Sequence, residues 1–191
     1  NTVSIDAGRP YNLGRNLDVK KEDYRYLMGF RGTLDSGWDW ETAGVISKAE
    51  MNDVAHNRFA YDLIHAELNG DLRTTDKVWN IFSTDWDTNN SERIRVDVTR
   101  NDTSTLRMFD FKMSNPSVFT LPAGDVGMLV GAEIRKETMD DARDPNVNGE
   151  IAYSTVALAA NQSTFPYISN ISNSSPSPNT YGERTVSSLF M

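Results

Sequence analysis

The chain has 191 residues, a formal net charge of −8 and a hydrophobic content of 38%. That content is below the ~45–50% of an average soluble domain, and the mean hydropathy is −0.52 with a pI near 4.7. An acidic chain without a basic, aromatic-interleaved cluster is a poor nucleic-acid binder. The absence of cysteine removes disulfides, zinc-thiolate sites and thiol nucleophiles. His56 and His65 are the only histidines, too few for a multi-histidine metal site. No apolar run approaches the ~20 residues of a membrane helix.

Residues 1–20 are polar, with Gly8, Pro10 and Gly14 as breakers, and read as a loop leading to a strand. The first strand is predicted over 24–34. Tyr24, Tyr26, Met28, Phe30 and Leu34 share one face, and Arg25, Gly29, Arg31 and Thr33 the other. Asp35-Ser36-Gly37 is a hairpin turn. A second strand over 38–50 puts Trp38, Trp40 and Ile46 opposite Asp39, Glu41 and Ser47. Tryptophans beside a tight turn suit an interfacial aromatic girdle.

Residues 51–103 read as a long loop with a short helix over 58–68, where Phe59, Leu63, Ile64 and Leu68 keep helical spacing. Asp85 to Asn90 is turn-rich, and Ile94, Val96 and Val98 alternate like a hairpin arm. The third strand, 105–114, places Phe109, Phe111 and Met113 opposite Asp110 and Lys112, and Asn115-Pro116 is expected to break it. A Leu121–Gly124 turn leads to the fourth strand, 127–137. Its alternation is strict: Met128, Val130, Ala132 and Ile134 against Gly127, Leu129, Gly131, Glu133, Arg135 and Glu137. Residues 138–181 form a second long loop, whose 170–180 stretch is low-complexity and predicted to be mobile. A fifth strand covers 183–191. The chain begins without methionine and ends within that strand, so it reads as an internal piece of a longer protein.

Short connections alternating with connections of more than forty residues are the habit of outer-membrane barrels, whereas compact soluble domains prefer ~4–6 residues. The expected fold is therefore all-β: antiparallel strands of a transmembrane β-barrel wall with two long extracellular loops.

Several phrases resemble TonB-dependent outer-membrane receptors: Tyr24-Arg25 with Gly29 to Leu34, Gly37-Trp38-Asp39-Trp40-Glu41, Ser104 to Asp110, Leu121 to Gly127, Gly131 to Glu137 and Asp141 to Pro145. Residues 12–150 carry most of the likeness. The resemblance implies a partial barrel domain in the cell outer membrane of a Gram-negative bacterium. It implies uptake of a bulky nutrient: an iron chelate, vitamin, oligosaccharide or peptide. It further implies partners absent from these residues: the remaining barrel, an N-terminal plug, and through the plug an inner-membrane TonB-type energy-coupling complex. Outer-membrane lipid is the expected surroundings; no cofactor and no nucleic acid are expected.

Arg25, Arg31, Glu41, Asp110, Lys112, Glu133, Arg135 and Glu137, with Asp39, would line the lumen. There they either touch ligand or plug, or form the cross-strand ion pairs that stabilise a sheet. The ion-pair reading carries about twice the weight of the other. Trp79, Trp86, Phe165 and Tyr167, with Phe82 and Tyr181, sit in the long loops as ligand contacts or as small loop cores. Asp144, Asn146, Asn148 and Gly149 match the start of a calcium loop, as Asp85, Asp87 and Asn89 do less well, but Asx turns without metal are commoner. Asn-x-Ser/Thr sequences at Asn101, Asn161, Asn170 and Asn173 read as coincidences of composition in a bacterial barrel.

No nucleophile–base pair or phosphate loop is present. Glu133 and Glu137 would stand about 13 Å apart along a strand at ~3.3 Å per residue, beyond the roughly 5–9.5 Å of glycosidase pairs. The chain is not expected to be an enzyme. The alternative is a soluble secreted β-rich binding or adhesion module, calcium-dependent in one version, whose apolar faces would pack into a dry core.

Overall fold

The alternating segments all become strands of one sheet. The computed structural model describes residues 14–69, 79–80, 91–151, 153 and 167–191. It contains β1 (Leu17–Thr33), β2 (Asp39–Phe59), β3 (Arg95–Leu121), β4 (Gly124–Arg143) and β5 (Thr180–Phe190), with helices α1 (Tyr61–Asn69) and α2 (Pro145–Asn148). The sheet is mostly antiparallel, in the order β1-β2-β3-β4-β5, and does not close on itself.

The strands are longer than the alternation indicates. β1 to β4 run 17, 21, 27 and 20 residues, against ~3–10 in globular sheets. Strand therefore occupies much of what reads as loop: 51–59, 95–103 and 138–143 are extended, and Val96 and Val98 belong to β3. Apart from Val96 and Val98, these stretches are mostly polar on both faces, so hydrophobic periodicity fades while the backbone ladder continues. β3 also runs through Pro116 rather than ending there. The buried Asn115 accepts the Ser117 N–H through Oδ1 at 2.8 Å, which satisfies the backbone beside the proline. The helix forms three residues later than its spacing suggests.

By contact density the chain divides into two units. One comprises Asn1–Lys20, Asn52–Arg100 and Ala142–Asn179, the other Lys21–Met51, Asn101–Asp141 and Thr180–Met191.

The second unit is built on hairpins. Leu34 N–H donates to the Trp38 carbonyl at 2.8 Å and Gly37 N–H to the Leu34 carbonyl at 2.9 Å. Gly37 takes φ 79°, the left-handed region that the turn requires. β4 pairs with β5 so that Gly131 faces Phe190, Ala132 Leu189, Ile134 Ser187 and Glu137 Arg184. Glycines here make room for aromatics from the neighbouring strand. A Cβ on Gly32 would come within 2.9 Å of the Trp40 indole, and one on Gly131 would collide with the Phe190 ring. One sheet face is apolar and uncovered: Tyr26, Met28, Phe30, Ile46, Phe109, Ile134 and Leu189 are all more than half exposed.

The first unit has its own small cores. Phe59, Trp79 and Ile94 pack with Leu63 and Ile64. Ala60, Val147 and Ile171 pack with Leu63, Val96 and Val98.

Gly131→Val should cost about 1–3 kcal/mol, because the Phe190 ring and the Phe111 carbonyl leave no space. Gly44→Ala should be near neutral, since a Cβ there meets nothing within 4 Å. Urea unfolding midpoints of the two variants check the contrast.

Candidate functional site

In the second unit, the face opposite the apolar one gathers the charged residues. Thr33 Oγ1 donates to Asp39 Oδ1 at 2.6 Å. Lys112 Nζ lies 3.1 Å from Glu41 Oε2. With Arg31, Ser114 and Leu129 these residues line a recess of about 380 Å³. Further along, Arg135 Nε lies 3.2 Å from Glu137 Oε1, and Arg184 Nε donates to Glu137 Oε2 at 3.0 Å.

Of the eight predicted lumen residues, Glu41, Lys112, Arg135 and Glu137 are thus in ion pairs that tie neighbouring strands or strand neighbours. Arg31 sits beside them. Arg25, Asp110 and Glu133 form no ion pair among the described residues; the Asp110 carbonyl accepts Thr42 Oγ1 at 2.7 Å. Arg184 was not legible as a partner, because its register with Glu137 depends on how β5 returns. Lys136 and Glu183, 2.9 Å apart, form another cross-strand pair without sequence warning.

The loop candidates divide. Trp79 is a core residue, not a ligand contact. It is 6% exposed against Phe59 and Ile94, and its backbone N–H donates to Glu67 Oε1 at 3.0 Å. An indole stabilises a small core more than any other side chain there could. Glu67 is itself buried, with Oε2 3.1 Å from Arg93 Nε. The Tyr167 ring lies against Gly149, whose Cβ would meet it at 2.8 Å; burial pushes its hydroxyl pKa up. Tyr181 belongs to β5, not to a loop, and donates to Glu183 at 2.9 Å. Trp86, Phe82 and Phe165 lie outside the described residues, as do Asp85, Asp87 and Asn89. A pair missed by sequence reading is Tyr61 with Tyr153, stacked at 5.4 Å, with His65 at their edge. Burial, then the Asp62 charge, raises the Tyr153 pKa.

The calcium candidates are engaged in helix capping. Asp144 caps α2: its Oδ1 accepts Asn146 N–H at 2.9 Å and Asn146 Nδ2 at 2.8 Å. Its Oδ2 accepts Thr99 N–H at 3.0 Å and Thr99 Oγ1 at 3.2 Å. Asn148 Oδ1 accepts Glu150 N–H at 2.9 Å. A carboxylate already accepting four donors offers a cation no free lone pair of consequence.

Asn170, in the stretch expected to be mobile, is the hub of the first unit and fully buried. Its Oδ1 accepts Asp62 N–H at 3.0 Å, and its carbonyl accepts Tyr61 N–H at 2.7 Å, so it supplies the start of α1. Its Nδ2 donates to Asp62 Oδ1 and to Asn146 Oδ1, both at 2.8 Å. The amide of its Asn-x-Ser sequence is engaged in these buried hydrogen bonds.

His56 of β2 ties β1 to β3. Its Nδ1 is 2.9 Å from Asp97 Oδ2 and its Nε2 3.1 Å from Asp18 Oδ2. The hydrogen bond to Asp97, then that to Asp18, raises its pKa. No family model, curated protein or solved structure matches the chain.

Asn170→Ala should destabilise the first unit by about 1–3 kcal/mol, because two acceptors and one donor lose a fully buried partner. Hydrogen exchange at Asp62 and Tyr61 N–H reads it directly. For His56 the folded pKa lies above the unfolded value of about 6.5. Its contribution is complete below that value and is lost as pH rises through the folded pKa. The stability gap between wild type and His56→Gln should be widest at pH below that unfolded value and narrow as pH rises through the folded pKa. A gap that widens with pH would contradict the bridging role.

Proposed function

We propose that this chain is part of the wall of an outer-membrane barrel. It would serve a receptor that captures a bulky nutrient and passes it inward with energy from a TonB-type complex. The observation that carries the reading is the sheet of the second unit: one face charged and internally ion-paired, the other apolar and bare. Among the described residues no second layer covers Tyr26, Met28, Phe109 or Ile134. A soluble adhesion module would need such a layer, since an exposed patch of this kind is costly in water. Lipid is the environment that removes the cost.

The strand count supports the same reading. Five strands with two open edges invite pairing with further strands, and closure into a barrel removes both edges. The charged face would then border the lumen, and the recess at Arg31, Asp39, Glu41 and Lys112 would face a plug or passing ligand. The first unit, with its capped helices and its Tyr61–Tyr153 stack, would be the loop module that first meets ligand. No residue set argues for covalent catalysis.

Separation of inner and outer membranes, followed by mild-detergent gels, tests this. The protein should fractionate with the outer membrane and shift on boiling. Phe109→Arg should reduce insertion, at a cost of about 2–4 kcal/mol near the bilayer midplane. Glu133→Arg, on the charged face, should insert normally. An aqueous protein without a heat shift would sink the receptor reading.

A further inference from the structure

Three neighbouring strands meet at one imidazole. His56 Nε2 lies 3.1 Å from Asp18 Oδ2 on β1, and Nδ1 lies 2.9 Å from Asp97 Oδ2 on β3. A carboxylate accepts hydrogen bonds and donates none, while a neutral imidazole carries one N–H and one bare lone pair. Both contacts are therefore satisfied only by the imidazolium. Once the ring loses its proton, one carboxylate faces a lone pair at hydrogen-bond distance.

The two sides are unequal. The Asp97 contact is the shorter, and the Asp97 side chain is 56% exposed against 79% for Asp18. The less solvated carboxylate has more to lose without a donor. The single proton of the neutral ring thus belongs on Nδ1, toward Asp97, and Nε2 turns its lone pair on Asp18. These two carboxylates are the charges that bear on the ring. Lys20, two residues along β1 from Asp18, and Arg95, two along β3 from Asp97, are the next charges on those strands. Arg95 is engaged by Asn57 Oδ1 at 2.9 Å and by the Ser91 carbonyl at 3.2 Å. Arg58, two residues along β2, is close enough to Arg15 to feel its charge.

What Asp18 secures is the start of an edge strand. Among the described strands β1 pairs with β2 alone, and residues 14–20 are exposed throughout. Two other hydrogen bonds hold this end. The His56 backbone N–H donates to the Asn16 carbonyl at 2.8 Å, and Asn57 Nδ2 donates to the Gly14 carbonyl at 2.8 Å. Leu17 and Val19 are exposed, so apolar packing adds little.

We infer that His56 is a proton-operated clasp on the edge of the sheet. Charged, it holds the start of β1 against β2 and β3. Neutral, it keeps Asp97, repels Asp18 and lets residues 14–18 open away from β2. The clasp works whether the apolar sheet face meets lipid or protein.

Hydrogen exchange of the intact protein tests this, read at the His56 amide, which reports the Asn16 contact directly. Nitrogen-15 NMR of the imidazole gives the midpoint of its titration and its tautomer. Protection at His56, taken relative to the intrinsic exchange rate at each pH, should fall about two- to fivefold across that midpoint, the range of an exposed ion pair. The deprotonated ring should be the Nδ1–H tautomer. Asp18→Asn supplies an amide that donates to the bare Nε2, so its His56 protection should stay flat as the ring titrates. An Nε2–H tautomer, protection that ignores the titration of the ring, or a fall that persists in Asp18→Asn would each overturn the clasp.

Discussion

An apolar sheet face must be covered, by another layer of protein or by lipid, and the function proposed for this chain depends on which. The hydrophobic effect acts on Tyr26, Met28, Phe30, Ile46, Phe109 and Ile134 wherever they are placed. A soluble sheet answers it with a second sheet or a helix. Here the described residues supply neither, while the other face carries the Glu41–Lys112 and Arg135–Glu137–Arg184 pairs. Segregation of this kind requires period-two alternation, because one inserted residue would exchange the faces. Trp40 over Gly32 and Phe190 over Gly131 hold that register, each by filling space that only glycine leaves.

The first unit answers a different constraint. Long connections pay conformational entropy, and those here offset it with two small cores and a polar hub. Asn170 links Asp62 and Asn146, so three separate segments of the chain meet at its side chain. Trp79 and Glu67 serve the same end, one as apolar filler and the other as acceptor for the backbone. Tyr61 and Tyr153 add a stacked ring pair to the same unit.

The central parts of all five strands were legible, because Tyr26 to Phe30, Phe109 to Met113 and Met128 to Ile134 alternate by hydrophobicity. The strand ends were not. Beyond Glu50 in β2, and between Thr99 and Thr105 in β3, both faces are largely polar, and polar alternation carries no period. Ion pairing was legible for Glu41 and Lys112 as a class of interaction, but not for Arg184, whose partner is set by register. The Asx-rich motif at Asp144 read more readily as a metal-free Asx turn than as a calcium loop, since both use the same oxygen donors; the structure spends them on Thr99 and Asn146. Asn170 was misread for the opposite reason. A polar, low-complexity neighbourhood conceals a single residue that is buried by contacts distant in sequence.

The absence of cysteine permits a direct measurement on the face itself. Single cysteines at Ile134 and at Glu133, adjacent in β4 and opposite in face, can each carry an environment-sensitive fluorophore. The protein is then reconstituted into vesicles containing brominated acyl chains. The account predicts strong quenching of the label at 134 and little at 133. Equal quenching, or none at either position, would contradict a lipid-facing sheet and return these apolar residues to a protein core.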